Sequence, residues 1–326
     1  MSVGPRPLCD TVAVPALLVL LAAVCFGTTG TALALGPDGV APLSAGAVRI
    51  VGGGAVLAVI VLLARPRGPR PPSVRRPGAG RSVPSGVLVA VGSLAVVAYQ
   101  PTFFVGTTRV GVAVGTVVAL GSAPVFTGAL EWIVSRRFHG RVWVAATLVA
   151  CVGVALLAAG TGGGATTDPV GLLGSLAAGA SYAVYAIVAK TLIARGADPS
   201  WAMGALFGVA AVASVPIALS TDLRWLAQPT GLVVAVWLGV VTTAVAYLLF
   251  GQGLSRLSAS TASTLTLAEP MTATLLGILV LGERLGWSAS AGMAVIAVAI
   301  VILVVAGKRP SSRGAAVHPG GTNDSA

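Results

Sequence analysis

Long apolar stretches separated by short polar links run along most of the chain. A helix needs about 20 apolar residues to cross the hydrocarbon core of a bilayer, and ten such stretches can be read from the sequence. They cover residues 12–34, 41–64, 85–105, 110–134, 141–160, 169–189, 200–219, 231–253, 259–281 and 287–306. The pattern predicts an all-α integral membrane protein with ten transmembrane helices.

The joints between the stretches differ in how clearly they are marked. Asp168-Pro169, Asp198-Pro199 and Gln228-Pro229 each place a polar residue before a proline, which favours the start of a helix. The joints at 106–109 and 254–258 carry the weakest turn signals, so a nine-helix count is the main alternative. The first stretch could be mistaken for a signal peptide. It is longer than a signal core and nine similar stretches follow, so we interpret it as an uncleaved helix.

Composition supports a membrane protein and excludes several other classes. Hydrophobic residues make up 56% of the 326 positions and charged residues 9%, against about 25% charged in typical soluble domains. A soluble enzyme, a disordered protein and a disulfide-rich secreted domain are therefore excluded. The chain has three cysteines with no paired spacing and two histidines, His139 and His318. No His/Cys metal cluster can form from so few ligands, and we predict no cofactor.

The net charge of +11 reports orientation rather than nucleic-acid binding, because the basic residues lie mostly in the links. With the N terminus in the cytoplasm, 16 of the 20 Lys and Arg residues fall on the inside and three on the outside. The remaining one, Arg49, lies within the second span. This bias predicts a bacterial inner (cytoplasmic) membrane protein with both termini inside. The Arg/Pro-rich insert 65–84 lies on the same side, and the polar tail 307–326 is predicted to be disordered.

The ten spans divide into two similar sets of five. Tyr99, Pro124 and Trp143 in spans three to five match Tyr247, Pro270 and Trp287 in spans eight to ten at nearly equal spacings. Because five is odd, the second set crosses the membrane in the opposite sense. The sequence thus predicts two inverted-topology five-helix repeats, 12–160 and 169–306, an architecture common in secondary transporters.

The chain resembles the EamA-like group of the drug/metabolite transporter superfamily. The most specific motif is Leu267-Ala268-Glu269-Pro270, followed by Leu281-Gly282-Glu283; Arg49 also resembles an arginine found in the second helix of that family. In the first half, Ala123-Pro124 stands at the matching place, but Arg137 stands where an acid would be expected. The resemblance implies ten helices, an inverted repeat and export or exchange of small metabolites.

Three ionisable residues lie within predicted spans, where each is costly unless it is paired or hydrated. Arg49 either extends to the outer headgroups or forms a buried pair or substrate contact. Glu269, beside Pro270 near the middle of span nine, is either a helix-packing carboxylate or a substrate or coupling site. Glu131, near the inner end of span four, either pairs with Arg136 or Arg137 or binds a proton or substrate cation.

The four tyrosines of the chain all fall inside spans rather than at their ends. They are Tyr99, Tyr182, Tyr185 and Tyr247. A buried tyrosine hydroxyl needs a hydrogen-bond partner. The pattern is compatible with a polar, aromatic central cavity and equally with ordinary packing in which the hydroxyls bond to the backbone.

Three classes of function fit a ten-span protein of this kind. A secondary transporter of small metabolites or drugs is favoured, working as an exporter by alternating access. Because no ATP-binding motif is present, a proton or solute gradient would drive it. A membrane-embedded enzyme acting on a lipid-linked substrate is the main alternative, although no cluster of Asp, His or Ser supports it. A channel or scaffold is disfavoured by the repeat. The expected partners are a small-molecule substrate and the lipid bilayer, with no nucleic acid, and homodimerisation stays open.

The charge bias generates a test of topology. With the three native cysteines removed, Ser73→Cys in the basic insert and Thr166→Cys in the link between the halves should respond oppositely to an impermeant thiol reagent. In intact cells, Thr166→Cys should be labelled and Ser73→Cys protected. Labelling of Ser73→Cys from outside the cell would show that the orientation is wrong.

Overall fold

A computed structural model of the protein describes residues 10–63, 83–136, 140–159, 168–282 and 286–306. Ten segments of these ranges are long and apolar enough to cross a membrane, and the described residues contain helices and no strand. The prediction of an all-α protein with ten spans is confirmed. Most of the 65–84 insert, the tail 307–326, Arg137 and Glu283 lie outside the described residues.

Eight spans are single helices and two are composite. The single helices are α1 (Asp10–Ala34), α2 (Pro42–Leu63), α3 (Ser85–Val110), α4 (Val112–Ser135), α5 (Arg141–Ala159), α6 (Pro169–Ala194), α7 (Pro199–Leu219) and α12 (Trp287–Ala306). The eighth span joins α8 (Pro229–Val236), a π-helical segment (Trp237–Val245) and α9 (Ala246–Arg256). The ninth span joins α10 (Ala259–Leu265) and α11 (Ala268–Leu281).

The polar residues placed before prolines begin helices as predicted. The Asp168 carboxylate accepts a hydrogen bond from the Val170 amide at 2.8 Å, and Asp198 accepts one from the Ser200 amide at 2.9 Å. Each aspartate satisfies a backbone donor that has no partner within its own helix, and each is followed by a proline suited to the first helical position. The sequence therefore encodes the starts of α6 and α7 directly.

The third joint is displaced from its predicted place. The sequence put the end of span three at residue 105 and the joint at 106–109, whereas α3 continues to Val110 and the chain turns at Gly111. Gly111 has φ 87°, a value that L side chains rarely adopt, so glycine permits the change of direction in a single residue. The sixth span also exceeds its predicted end at 189, since α6 continues to Ala194.

Helices of the first five spans pack mainly against helices of the last five. α3 and α4 both lie along α6, while α1 lies along α9 and α11. These two arrangements correspond when each span is exchanged with the one five places away. The pairs α2–α7 and α5–α12 map onto themselves under the same exchange. The packing is thus that of two equivalent five-helix units around one core, and their opposite orientation stays a prediction.

Two polar contacts join the spans on the face opposite the α9–α10 link. Arg109 at the end of α3 forms an ion pair of 3.1 Å with Asp168 at the start of α6, and this hydrogen bond holds the pKa of the Asp168 carboxyl below its usual value. Trp225, shortly before the eighth span, has a buried side chain whose indole N–H donates to the Ser44 hydroxyl at 2.9 Å.

Candidate functional site

The ninth span is interrupted near its middle. α10 ends at Leu265 and α11 begins at Ala268, with Thr266 and Leu267 in a turn between them. Pro270 explains the interruption, because it has no amide hydrogen and its ring would clash with the carbonyl of Thr266 in a continuous helix. The Thr266 carbonyl instead accepts the Glu269 amide at 2.9 Å.

Glu269 occupies the first turn of α11 and lines a cavity at the centre of the molecule. Both halves of the chain contribute to this cavity. Its lining residues are Phe26, Arg49, Ile50, Val96, Tyr99, Gln100, Leu120, Ala123, Tyr182, Tyr185, Tyr247, Thr266, Leu267 and Glu269. Six of the eight residues that the sequence singled out, all except Pro270 and Glu131, therefore share one site.

Glycine allows the first span to approach the interrupted helix. A Cβ atom placed on Gly27 of α1 would lie 2.8 Å from the Glu269 carbonyl oxygen and 2.6 Å from the Cβ of Thr272. Since such distances are too short for any side chain to occupy without displacement, glycine is needed for this contact. The close approach brings Phe26, the preceding residue, to the cavity wall.

Arg49 points into the protein rather than towards the headgroups. Its Nε donates to the Thr243 hydroxyl at 3.1 Å, and its Nη2 donates to the Thr242 carbonyl at 3.3 Å. Both acceptors belong to the π-helical segment of the eighth span. Segments of this kind are rare and often occur at functional sites. The guanidinium also lies 5.8 Å from the centre of the Phe26 ring, within range of a cation–π interaction.

The two charged groups of the cavity do not neutralise each other by contact. Among the described residues the one ion pair within 4.0 Å joins Arg109 and Asp168. Nor does any donor in the described part of the chain lie within hydrogen-bonding distance of the Glu269 carboxylate. An unpaired carboxylate in a protein interior is costly, so this group is suited to bind a cation or a proton.

The tyrosines form an aromatic wall around the cavity. The rings of Tyr182 and Tyr185 meet edge to face with centroids 4.9 Å apart, and Tyr247 lies 6.0 Å from Tyr185. Phe26 and Phe207 pack against Tyr247 with centroid separations of 5.0 and 3.8 Å. Aromatic faces of this kind attract cations and flat apolar groups.

One fully buried tyrosine hydroxyl in this wall is left without a well-formed hydrogen bond. The Tyr182 hydroxyl lies 3.1 Å from the Thr266 hydroxyl. The Tyr185 side chain, in contrast, is 3% exposed, and its hydroxyl forms no hydrogen bond of good geometry among the described residues, although the rings of Tyr182 and Tyr247 lie beside it. Because buried polar groups are rarely left unsatisfied, the Tyr185 hydroxyl marks a position at which a bound molecule can form a hydrogen bond.

Glu131 lies outside this cavity. Its carboxylate accepts hydrogen bonds from the backbone amides of Ala259 and Ser260, at 3.2 and 2.9 Å, where α10 begins. From the sequence, the structural alternative for Glu131 was pairing with Arg136 or Arg137, and a contact with the ninth span was not predicted. Gln100 and Thr266, which line the cavity, were also not singled out, because uncharged polar residues are common within spans.

The cavity is small in this conformation. Its volume is about 60 Å³, whereas sites that enclose drug-sized ligands measure roughly 300–1,000 Å³. Two larger hollows of about 510 and 420 Å³ lie elsewhere between spans, and their apolar walls contain no ionisable side chain. Of these three cavities between described residues, the smaller, central one is therefore the one lined by ionisable side chains.

Comparisons with known proteins identify the class to which this site belongs. The family model described as "EamA-like transporter family" matches residues 14–159 and again residues 169–305. The uncharacterized transporter YwfM of Bacillus subtilis (strain 168) is 35% identical over 300 residues, which cover 92% of this chain and 97% of the relative. An uncharacterized transporter of Clostridium kluyveri is 24% identical over 183 residues, which cover 55% of this chain and 59% of the relative.

A solved crystal structure supports the fold. It superposes with a TM-score of 0.74 at 19% identity and covers 91% of this chain and 99% of its own. Together with the family matches, the ten apolar spans define a multi-pass membrane transporter of the drug/metabolite type, not an enzyme. The chain belongs to the EamA-like transporter family, and the resemblance inferred from the sequence is confirmed.

The hydroxyls of Tyr182 and Tyr185 differ in their hydrogen bonding, and this difference generates a prediction. Tyr182→Phe removes a hydroxyl contact with Thr266 and should lower stability by about 1 kcal/mol. Tyr185→Phe removes a hydroxyl that has no partner in the described structure and should leave the melting temperature in detergent unchanged or slightly higher. An equal loss of stability in both variants would show that the Tyr185 hydroxyl is bonded within the protein.

Proposed function

We propose that the central cavity is the substrate and coupling site of a secondary transporter that exports small metabolites or drugs by alternating access. The observation that carries this proposal is the placement of Arg49 and Glu269, which are 220 positions apart in the chain, in the wall of one cavity. A site built jointly by two halves of a transporter can open to either side when the halves move.

The charges of the cavity favour a substrate that carries both a cationic and an anionic group. Glu269 and the faces of the tyrosines suit an ammonium, whereas Arg49 suits a carboxylate or a similar anion. The unpartnered Tyr185 hydroxyl supplies a further donor. A substrate with one charge would leave the other protein charge uncompensated in the bilayer interior, which is unfavourable.

Glu269 also supplies a means of coupling. A carboxylate that binds either a proton or the cationic group of a substrate cannot hold both at once. Proton entry and substrate exit then follow from alternate occupation of the same group, in the manner of a proton antiporter. The small cavity fits this scheme as a closed conformation, which must expand before a metabolite can enter.

The charge distribution supports the proposed location and orientation in the membrane. The excess of Lys and Arg on one side supports insertion into the cytoplasmic membrane with both termini inside. The carboxylate of Glu269 would then receive a proton from outside the cell and release it inside. Solute exchange without protons is the alternative form of coupling.

The test begins by identifying a substrate through a metabolite screen of the medium, with the protein overproduced and deleted. In proteoliposomes with an imposed pH gradient, Glu269→Gln should remain folded but transport more than about tenfold more slowly. The substitution removes the charge that would pair with the substrate ammonium, and losing one partner of a buried charge pair costs roughly 2–5 kcal/mol. The matched control Asp38→Asn removes an exposed acid distant from the cavity and should transport normally.

Two outcomes would contradict this proposal in different ways. Normal transport by Glu269→Gln combined with misfolding of Glu269→Leu would assign the residue a structural role. Transport by the unmodified protein that is indifferent to the pH gradient would exclude proton coupling and indicate solute exchange.

A further inference from the structure

The short link between the eighth and ninth spans is held at both ends by charged residues of other spans. At the start of α10, the Glu131 carboxylate of α4 accepts the amides of Ala259 and Ser260. Near the end of α9, the Lys190 ammonium of α6 donates to the carbonyls of Leu254 and Ser255, at 2.8 and 3.4 Å.

The signs of the two charges match the backbone groups that they contact. Backbone amides at the start of a helix and carbonyls at its end lack partners within the helix, and charged acceptors and donors form stronger hydrogen bonds with them than neutral groups do. Both side chains are partly buried. Because each contact joins a different pair of spans, the link cannot move away from α4 and α6 unless both contacts break.

A seam of hydroxyl groups connects this link with the cavity. Along α10 and the turn that follows, Ser263 contacts Thr127 at 3.4 Å, Thr264 contacts Thr147 at 3.0 Å, and Thr266 contacts Tyr182 at 3.1 Å. Water can replace hydroxyl–hydroxyl bonds at little enthalpic cost. Movement of the link would therefore open a hydrated path towards Glu269, whereas an apolar seam would resist hydration.

We propose that Glu131 and Lys190 form a clamp on the α9–α10 link that closes the cavity on this face and releases in each transport cycle. By the charge bias of the sequence, this face is the cytoplasmic one, so release of the clamp admits the cytoplasmic substrate. The clamp rests on the proposed function of the cavity, and it assigns Glu131 to gating rather than to proton coupling.

Spin labels at Val134→Cys in α4 and Arg256→Cys at the end of α9, in a background without native cysteines, report the distance across the clamp. Both positions are exposed. Glu131→Gln keeps one acceptor oxygen and removes the charge. It should increase the population with a longer distance by about threefold, the size expected for weakening a charged helix cap. Lys190→Gln should act in the same direction.

Asp198→Asn is the matched control, since Asp198 also accepts two backbone amides at the start of a helix, but those amides belong to the helix that Asp198 itself caps. It should leave the distance distribution unchanged. The clamp proposal is rejected if Glu131→Gln and Lys190→Gln also leave the distance distribution unchanged. It is likewise rejected if Asp198→Asn lengthens the distance as much as they do.

Failure of the clamp can be distinguished from failure of the proposed site. An unchanged distance in Glu131→Gln, with transport still slowed in Glu269→Gln, would reject the clamp and retain the cavity. A longer distance in Glu131→Gln, with normal transport in Glu269→Gln, would retain the clamp and reject the site.

Discussion

The interruption of the ninth span by Pro270 is the constraint on which the site depends. A backbone carbonyl without a helical partner is unfavourable in lipid, and irregular backbone is tolerated at membrane depth only where protein or a cavity surrounds it. Here the turn at Thr266 and Leu267 is enclosed by protein, and both residues line the cavity. The same turn directs Glu269, the residue before the proline, into that space. Pro270 thus determines the position of Glu269 and also requires neighbouring spans to cover the interrupted backbone.

The remaining polar groups of the cavity compensate for this arrangement. Arg49 is anchored on the π-helical segment of the eighth span through Thr242 and Thr243, so its charge stays near Glu269 without contact. A site with an uncompensated carboxylate and an unpartnered tyrosine hydroxyl is prepared for a polar molecule, which a purely structural core would not be.

The sequence predicted the parts of this site that carry rare chemistry. An ionisable residue in an apolar span is costly, so Arg49 and Glu269 could be recognised without any knowledge of contacts, and the tyrosines followed because all four lie within spans. Gln100, Thr266 and the π-helical segment could not be predicted in this way, since their importance comes from packing between distant spans. Glu131 was recognised as unusual, but its backbone partners lie more than 120 residues away. The turn at Gly111 was misplaced because one glycine between apolar residues gives a weak local signal.

Accessibility of the cavity from each side tests the account most directly. Val96 lines the cavity with 4% exposure, and cysteine is close to valine in size. In a background without native cysteines, Val96→Cys should react with a small impermeant thiol reagent both in right-side-out and in inside-out vesicles. Ala22→Cys, which is buried in the core and does not line the cavity, should react in neither. Reaction of Val96→Cys from one side only, or from neither side, would contradict a cavity that opens alternately to the two faces of the membrane.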